Sequence, residues 1–180
     1  MVDDHLWLVG MMGSGKTAAG RLVAGRHEAA FVDTDEMICA EVGSTVSEIF
    51  AARSEEWFRA EEAGVIERLA RSRQPAVIST GGGAVLSESN RRIMAGSGRV
   101  VWLRAGIETL VSRVRETAPE GGPPAMRPLL AGSPDAWEVE LARIERSRRR
   151  LYEIVSDIVV EVDGLAPEQV AERVVGELNG

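Results

Sequence analysis

Five short apolar runs, at 6–9, 30–32, 76–79, 100–103 and 158–162, punctuate this 180-residue chain. They are rich in Val, Ile and Leu and lack a clean polar alternation, as strands buried on both faces of a parallel sheet do. Between them lie stretches of helical periodicity at about 17–27, 35–42, 45–52, 54–72, 88–96, 106–116, 135–154 and 167–178. Thr45 with Glu48 forms a capping box, and Pro134 and Pro167 stand where first helical turns are expected. The alternation predicts an α/β domain, a parallel sheet covered by helices.

The length fits one domain. With 44% hydrophobic and 27% charged residues, the chain can bury a sizeable core, which excludes disorder. A single cysteine, Cys39, excludes a disulfide framework and suits a reducing compartment, so a cytoplasmic location is expected. Only His5 and His27 are available for a histidine metal cluster, which makes one unexpected. No apolar run reaches the roughly 20 residues of a membrane span, and the opening residues do not read as a signal peptide. A net charge of −7 disfavours a nucleic-acid partner. Residues 117–125, rich in Pro and Gly, read as a mobile loop.

Chemistry enters at 10–17, Gly-Met-Met-Gly-Ser-Gly-Lys-Thr, which fits G-x-x-x-x-G-K-[ST] between an expected strand and an expected helix. Gly13, Ser14 and Gly15 offer backbone N–H groups to phosphate oxygens, and the helix N-terminus adds partial positive charge. Lys16 reaches the β- and γ-phosphates, and Thr17 offers a hydroxyl to Mg²⁺. Lys16 is the only lysine among 21 basic residues, placed where a compact point charge suits phosphate. It is expected to face the surface.

Asp33 and Asp35 follow the second run. On an extended chain, residues two apart face the same way, which would send both carboxylates toward a ligand at the sheet's carboxyl edge. One would serve Mg²⁺ and the other a substrate hydroxyl; the competing reading is a helix N-cap with an incidental neighbour. Gly81, Gly82 and Gly83 follow the third run. They imply either close approach to the backbone by a ligand or another segment, or a loose connector.

On a helical wheel for 54–72, Phe58, Val65, Ile66 and Leu69 share a face with Glu62 at its middle and Arg59 at its edge. An inward charged pair either forms a structural ion pair or faces a cleft. On 135–154 the stripe Trp137, Leu141, Ile144, Leu151, Val155 is interrupted at Arg148. Five arginines crowd 143–150, yet Arg146, Arg149 and Arg150 fall off that stripe. Arg148 alone points inward, where its planar fork suits a carboxylate.

These residues together resemble the shikimate kinases, a family of small P-loop kinases. The motifs are the 10–17 loop, Asp33-Thr-Asp35, Phe58-Arg59-x-x-Glu62, Gly81-Gly82-Gly83, Arg127-Pro-Leu-Leu130, and Arg148 followed by Leu151-Tyr152, in order along nearly the whole chain. The resemblance implies an α/β three-layer sandwich with a five-stranded parallel sheet in the nucleoside monophosphate kinase style. It implies one kinase domain over 1–180, with a substrate-binding helical segment at about 35–62 and a mobile lid at about 114–130. The implied reaction moves the ATP γ-phosphoryl group to the 3-hydroxyl of shikimate, with Mg²⁺, in a monomer. Asp35 would bind the acceptor hydroxyls and act as base or orienter. Asp33 and Thr17 would organise Mg²⁺. Arg59, Arg148 and the Gly81–Gly83 backbone would hold shikimate. Arg127 would close over the phosphates with Lys16, and Ala18, Arg113 and Pro167 would border the nucleotide.

The chain departs from the family pattern in three places. Ala18 stands where a second hydroxyl often follows the loop, Arg150 replaces a proline, and the stretch from Arg113 to Arg127 is longer than usual. Two other functions compete: a P-loop kinase for another hydroxy acid such as gluconate, and a catalytically silent nucleotide-binding module.

Overall fold

The computed structural model describes residues 4–117 and 136–179. Its elements are β1 (His5–Val9), α1 (Lys16–Arg26), β2 (Ala30–Asp33), α2 (Thr34–Val42), α3 (Val46–Ala52), α4 (Glu55–Ala70), β3 (Ala76–Ser79), a 3₁₀ turn (Ala84–Leu86), α5 (Glu88–Ser97), β4 (Gly98–Arg104), α6 (Ile107–Glu116), α7 (Trp137–Val155), β5 (Ile158–Glu161) and α8 (Pro167–Asn179). The expected strands and helices form within a few residues of their sequence positions.

All strand pairs are parallel, in the order β2-β3-β1-β4-β5. The core follows from the strand period of two. Trp7, Val9, Ile78, Val100 and Trp102 face α4–α7, while Leu6, Leu8, Val77, Val101 and Leu103 face α1 and α8. This makes three layers. A satellite cluster of Ile38, Val46, Ile49, Phe58 and Val65 seals α2, α3 and α4 together.

Burial on both faces holds for β1, β3 and the middle of β4. It does not hold for β2, which is only partly covered, or for β5, which alternates buried and exposed. Both are edge strands, and an edge has one neighbour instead of two.

Two expectations about helices are corrected. The chain turns into α2 at Thr34, so Asp35 sits in the first helical turn and not on an extended strand. In α7 the deep position is Tyr152, at 1% exposure, while Leu151 is partly buried. The helix runs unbroken to Val155, so Arg150 in place of proline leaves the register of Arg148 unchanged. Of the expected lid, residues 114–117 close α6, with Val114 in the core; the rest, including Arg127, lies outside the described residues, as does Pro134, expected at a first helical turn. Among the described residues no helix is long and apolar enough to cross a membrane.

Candidate active site

A cleft of about 610 Å³ opens over the carboxyl ends of the strands, beside β1, where the strand order changes direction. Its walls include Gly13, Gly15, Lys16, Thr17, Ala18, Asp33, Asp35, Arg59, Gly81, Gly82, Gly83, Arg113, Arg148 and Pro167. The structure thus brings together every described site residue expected from sequence except Ser14, which lies beneath the loop with its hydroxyl shut from solvent.

The phosphate-binding loop leads from β1 into α1. Gly15 caps the helix at φ 91°, a left-handed conformation that a side chain would strain. Lys16 is buried, not surface-facing. Its Nζ donates to the Gly10 and Met11 carbonyls, each at 2.9 Å, which folds the ammonium back across the loop. Arg113 clamps the loop from outside, donating to the Gly13 and Ser14 carbonyls and to those of Val162 and Leu165. It thereby joins the loop to the β5–α8 connection, which leads into Pro167, the first residue of α8.

Asp33 is a helix N-cap, as the competing reading of the Asp pair has it, and its other oxygen turns to the phosphate loop. Its Oδ1 caps α2 by accepting from the Asp35 and Glu36 N–H groups, and its Oδ2 accepts from the Thr17 hydroxyl at 2.8 Å. The hard oxygens of Thr17 and Asp33 therefore stand side by side at the phosphate loop. That donor set fits Mg²⁺, which takes one or two protein oxygens and completes its shell with water and phosphate. Among the described residues no group of three or more His, Cys, Asp or Glu could cage a metal alone.

The glycine triplet is no loose connector. The buried Thr34 hydroxyl accepts from the Gly81 N–H at 3.1 Å, tying it to α2. A Cβ on Gly81 would meet Glu62 Oε1 at 2.5 Å and Asp35 Oδ1 at 2.6 Å. One on Gly82 would lie 3.8 Å from Arg148 Nη1, and one on Gly83 would run into the Arg59 guanidinium. The missing side chains of Gly81 and Gly83 leave room for charged groups of the cleft, and that of Gly82 leaves room for the backbone of the phosphate loop.

The charges are arranged in a buried cluster. Glu62 has no exposed surface, and its Oε2 accepts from Arg59 Nη1 at 2.8 Å. Arg59 also reaches Glu55; the inward pair is an ion pair of which Arg59 alone lines the cleft. Asp35 is partly exposed to the cleft, but its Oδ1 is shut from solvent. Burial, and then the Asp33 charge, push its pKa up to about 6. Burial pushes Glu62 up to about 7 against the pull of Arg59. Arg148 is 6% exposed and donates to the Gly82 carbonyl at 3.1 Å. Arg149 and Arg150 are exposed and pair with Glu145 and Glu153 on their own helix.

Sequence reasoning missed Thr34, Phe50 and the buried position of Tyr152. Thr34 was hidden between two aspartates and Phe50 in an apolar run; nothing in a linear reading aims Phe50 at the cleft it lines.

A Gly-rich phosphate cradle at the end of β1, beside a metal-grade oxygen pair and two inward arginines, defines a P-loop kinase acting on a small anionic acceptor. The chain matches the shikimate kinase family over residues 12–179, and it belongs to that family. It is 43% identical to a shikimate kinase of Symbiobacterium thermophilum over 97% of this chain and 95% of that one. It is 40% identical to one from Moorella thermoacetica over 96% and 93%. Among solved structures, shikimate kinase from Acinetobacter baumannii in complex with shikimate superposes with a TM-score of 0.89 at 30% identity, covering 98% of this chain and 93% of that one. A gluconokinase from Sinorhizobium meliloti shares the fold, with a TM-score of 0.62 at 18% identity over 99% of this chain and 93% of that one.

Proposed function

We propose that this cleft carries out the family reaction with the following division of labour. The protein is an ATP-dependent kinase that phosphorylates shikimate, giving shikimate 3-phosphate and ADP. The observation that carries the site assignment is convergence: Asp35 lies in one cleft with the phosphate loop and with two arginines suited to a carboxylate.

Phosphoryl transfer needs positioning and charge stabilisation more than covalent catalysis. The N–H groups around Gly13, Ser14 and Gly15 and the start of α1 hold the ATP phosphates, with Ala18 beside them. Lys16 turns from the loop carbonyls to the transferring phosphoryl group. Arg113 and Pro167 border the adenine end. Thr17 and Asp33 hold Mg²⁺, which neutralises phosphate charge when bound. Arg59 and Arg148 grip the shikimate carboxylate, helped by the Gly81–Gly83 backbone. Asp35 takes the proton of the 3-hydroxyl as its oxygen attacks phosphorus and ADP leaves. A pKa of about 6 suits a base working near neutrality. Arg127, assigned by the resemblance to the phosphates, lies outside the described residues.

The reading extends to one kinase domain whose helical segment at about 35–62 binds substrate, and to a monomer in the cytoplasm, which the lone free Cys39 suits. The test is ADP release from ATP and Mg²⁺ with shikimate, quinate, gluconate or nucleosides. Turnover with shikimate far above the others is expected. Preference for gluconate, or no turnover with any of them, would overturn the reading.

A further inference from the structure

Helix α7 sends two side chains, one turn apart, to a single oxygen. Arg148 Nη1 donates to the Gly82 carbonyl at 3.1 Å, and the Tyr152 hydroxyl donates to the same carbonyl at 2.7 Å. A carbonyl oxygen has two lone pairs, so this one has a donor for each. Tyr152 is held rigidly: it is 1% exposed and stacks on Trp102 of β4, with ring centroids 5.5 Å apart and planes at 20°. β4 pairs directly with β1, the strand that feeds the phosphate loop. Burial pushes the phenol well above its ordinary pKa, and the Arg148 guanidinium beside it opposes this without winning. The hydroxyl is therefore a donor at every working pH.

We propose that Tyr152 is a positioning residue for shikimate: its hydroxyl pins the Gly82 carbonyl, so that Arg148, docked on that carbonyl, presents its remaining N–H groups to the substrate carboxylate. This rests on the reading of Arg148 as the carboxylate ligand. The physical need is clear. Arginine has a long, flexible stem, and its fork is useful for two-point recognition only when held in one plane. Its anchor is a peptide between glycines, which lacks the side chains that would limit its swing. The same Gly82 backbone lies against the phosphate loop, where a Cβ would sit 3.3 Å from the Gly10 carbonyl. A pinned peptide thus fixes the carboxylate grip relative to the phosphates. The plainer alternative is a core tyrosine that only satisfies its own hydroxyl. That alternative lowers stability and does not single out one substrate.

Tyr152→Phe keeps the ring, the Trp102 stack and the volume, and removes only the pin. Its KM for shikimate should rise about tenfold, the scale of one buried hydrogen bond, while its KM for ATP stays within about twofold. In an Arg148→Ala background the same change should add little to the shikimate dissociation constant, because Tyr152 acts through the lost side chain. All constants are measured well below each variant's own melting temperature, so lost stability cannot imitate the effect. An unchanged shikimate KM, a parallel rise in both KM values, or a full additive effect without Arg148 each overturns the proposal. Wild-type protein run alongside separates the two levels. If it fails to phosphorylate shikimate, the functional reading itself fails; an active wild type with an indifferent Tyr152→Phe variant removes only the positioning role.

Discussion

Asp35 Oδ1 and Glu62 Oε1 converge on the spot that a side chain of Gly81 would fill, and neither has a hydrogen-bond partner among the described residues. Burial is the main reason that both groups titrate high, at about 6 for Asp35 and about 7 for Glu62, and the Asp35 charge adds to the push on Glu62.

The buried carboxyl of Glu62 makes stability depend on pH. Glu62 titrates at about 7 when folded and near 4.5 ordinarily, so between these values the folded chain keeps a proton that the unfolded chain has released. Stability therefore falls as pH rises through this window and levels off above it. Replacing Glu62 by Gln removes this contribution. The unfolding free energy of wild type minus that of Glu62→Gln should fall by up to about 3 kcal/mol between roughly pH 5 and pH 8. Urea titrations of the ligand-free proteins read it directly; a difference that stays flat or rises contradicts a Glu62 pKa raised by burial.

Lys16→Met should cut kcat by at least about 10²-fold, since in the proposed reaction it removes the charge that turns to the transferring phosphoryl group. It also strips a donor from two buried carbonyls, so unlike a surface lysine its loss should cost about 1–3 kcal/mol of stability. Steady-state kinetics with a thermal melt tests both parts. Retention of most activity by folded variant protein would remove the phosphate-loop assignment.

Asp35→Asn should lower kcat by about 10²–10⁴-fold with little change in KM for ATP, because in the proposed reaction the carboxylate serves the acceptor hydroxyl. Weaker ATP binding with turnover preserved at saturation would transfer Asp35 to the metal site.

Arg148→Ala should weaken shikimate binding by about 2–5 kcal/mol, the usual cost of losing one partner of a buried charge pair. Arg149→Ala and Arg150→Ala, both exposed and paired along their own helix, should stay within about 0.5 kcal/mol. Calorimetric titration of the three variants discriminates them, and equal effects in all three would reduce the run to a basic face.

Ala18→Thr should tighten ATP by about 1 kcal/mol, roughly fivefold in affinity, by restoring a hydroxyl on the nucleotide side of the cleft. Ala18 is exposed and lines the cleft, so the added atoms meet no core packing. Unchanged ATP binding would show that the departure at this position is neutral.

Much of this protein is written in short-range pattern. The phosphate loop was legible because eight consecutive residues form it, and Arg148 because a helical wheel needs only one element and its apolar stripe. The five strands and the helices around them were legible from apolar periodicity alone. Edge position was not: β2 and β5 read like the central strands, since the number of neighbours is a property of the sheet and not of the strand. Asp35 lies in the cleft as expected but in a helical turn and not on an extended chain, because the point where β2 gives way to α2 depends on Asp33 capping the helix. Lys16 shows the same limit: no spacing rule says that its ammonium folds back on Gly10 and Met11. The deepest relationships were decided only in three dimensions. Glu62 beneath Asp35, and Tyr152 with Arg148 on one Gly82 carbonyl, join residues far apart in sequence. Sequence determines which residues an element offers to its buried face; which groups meet there depends on how separate elements pack, because hydrogen bonds and desolvation act across space and not along the chain.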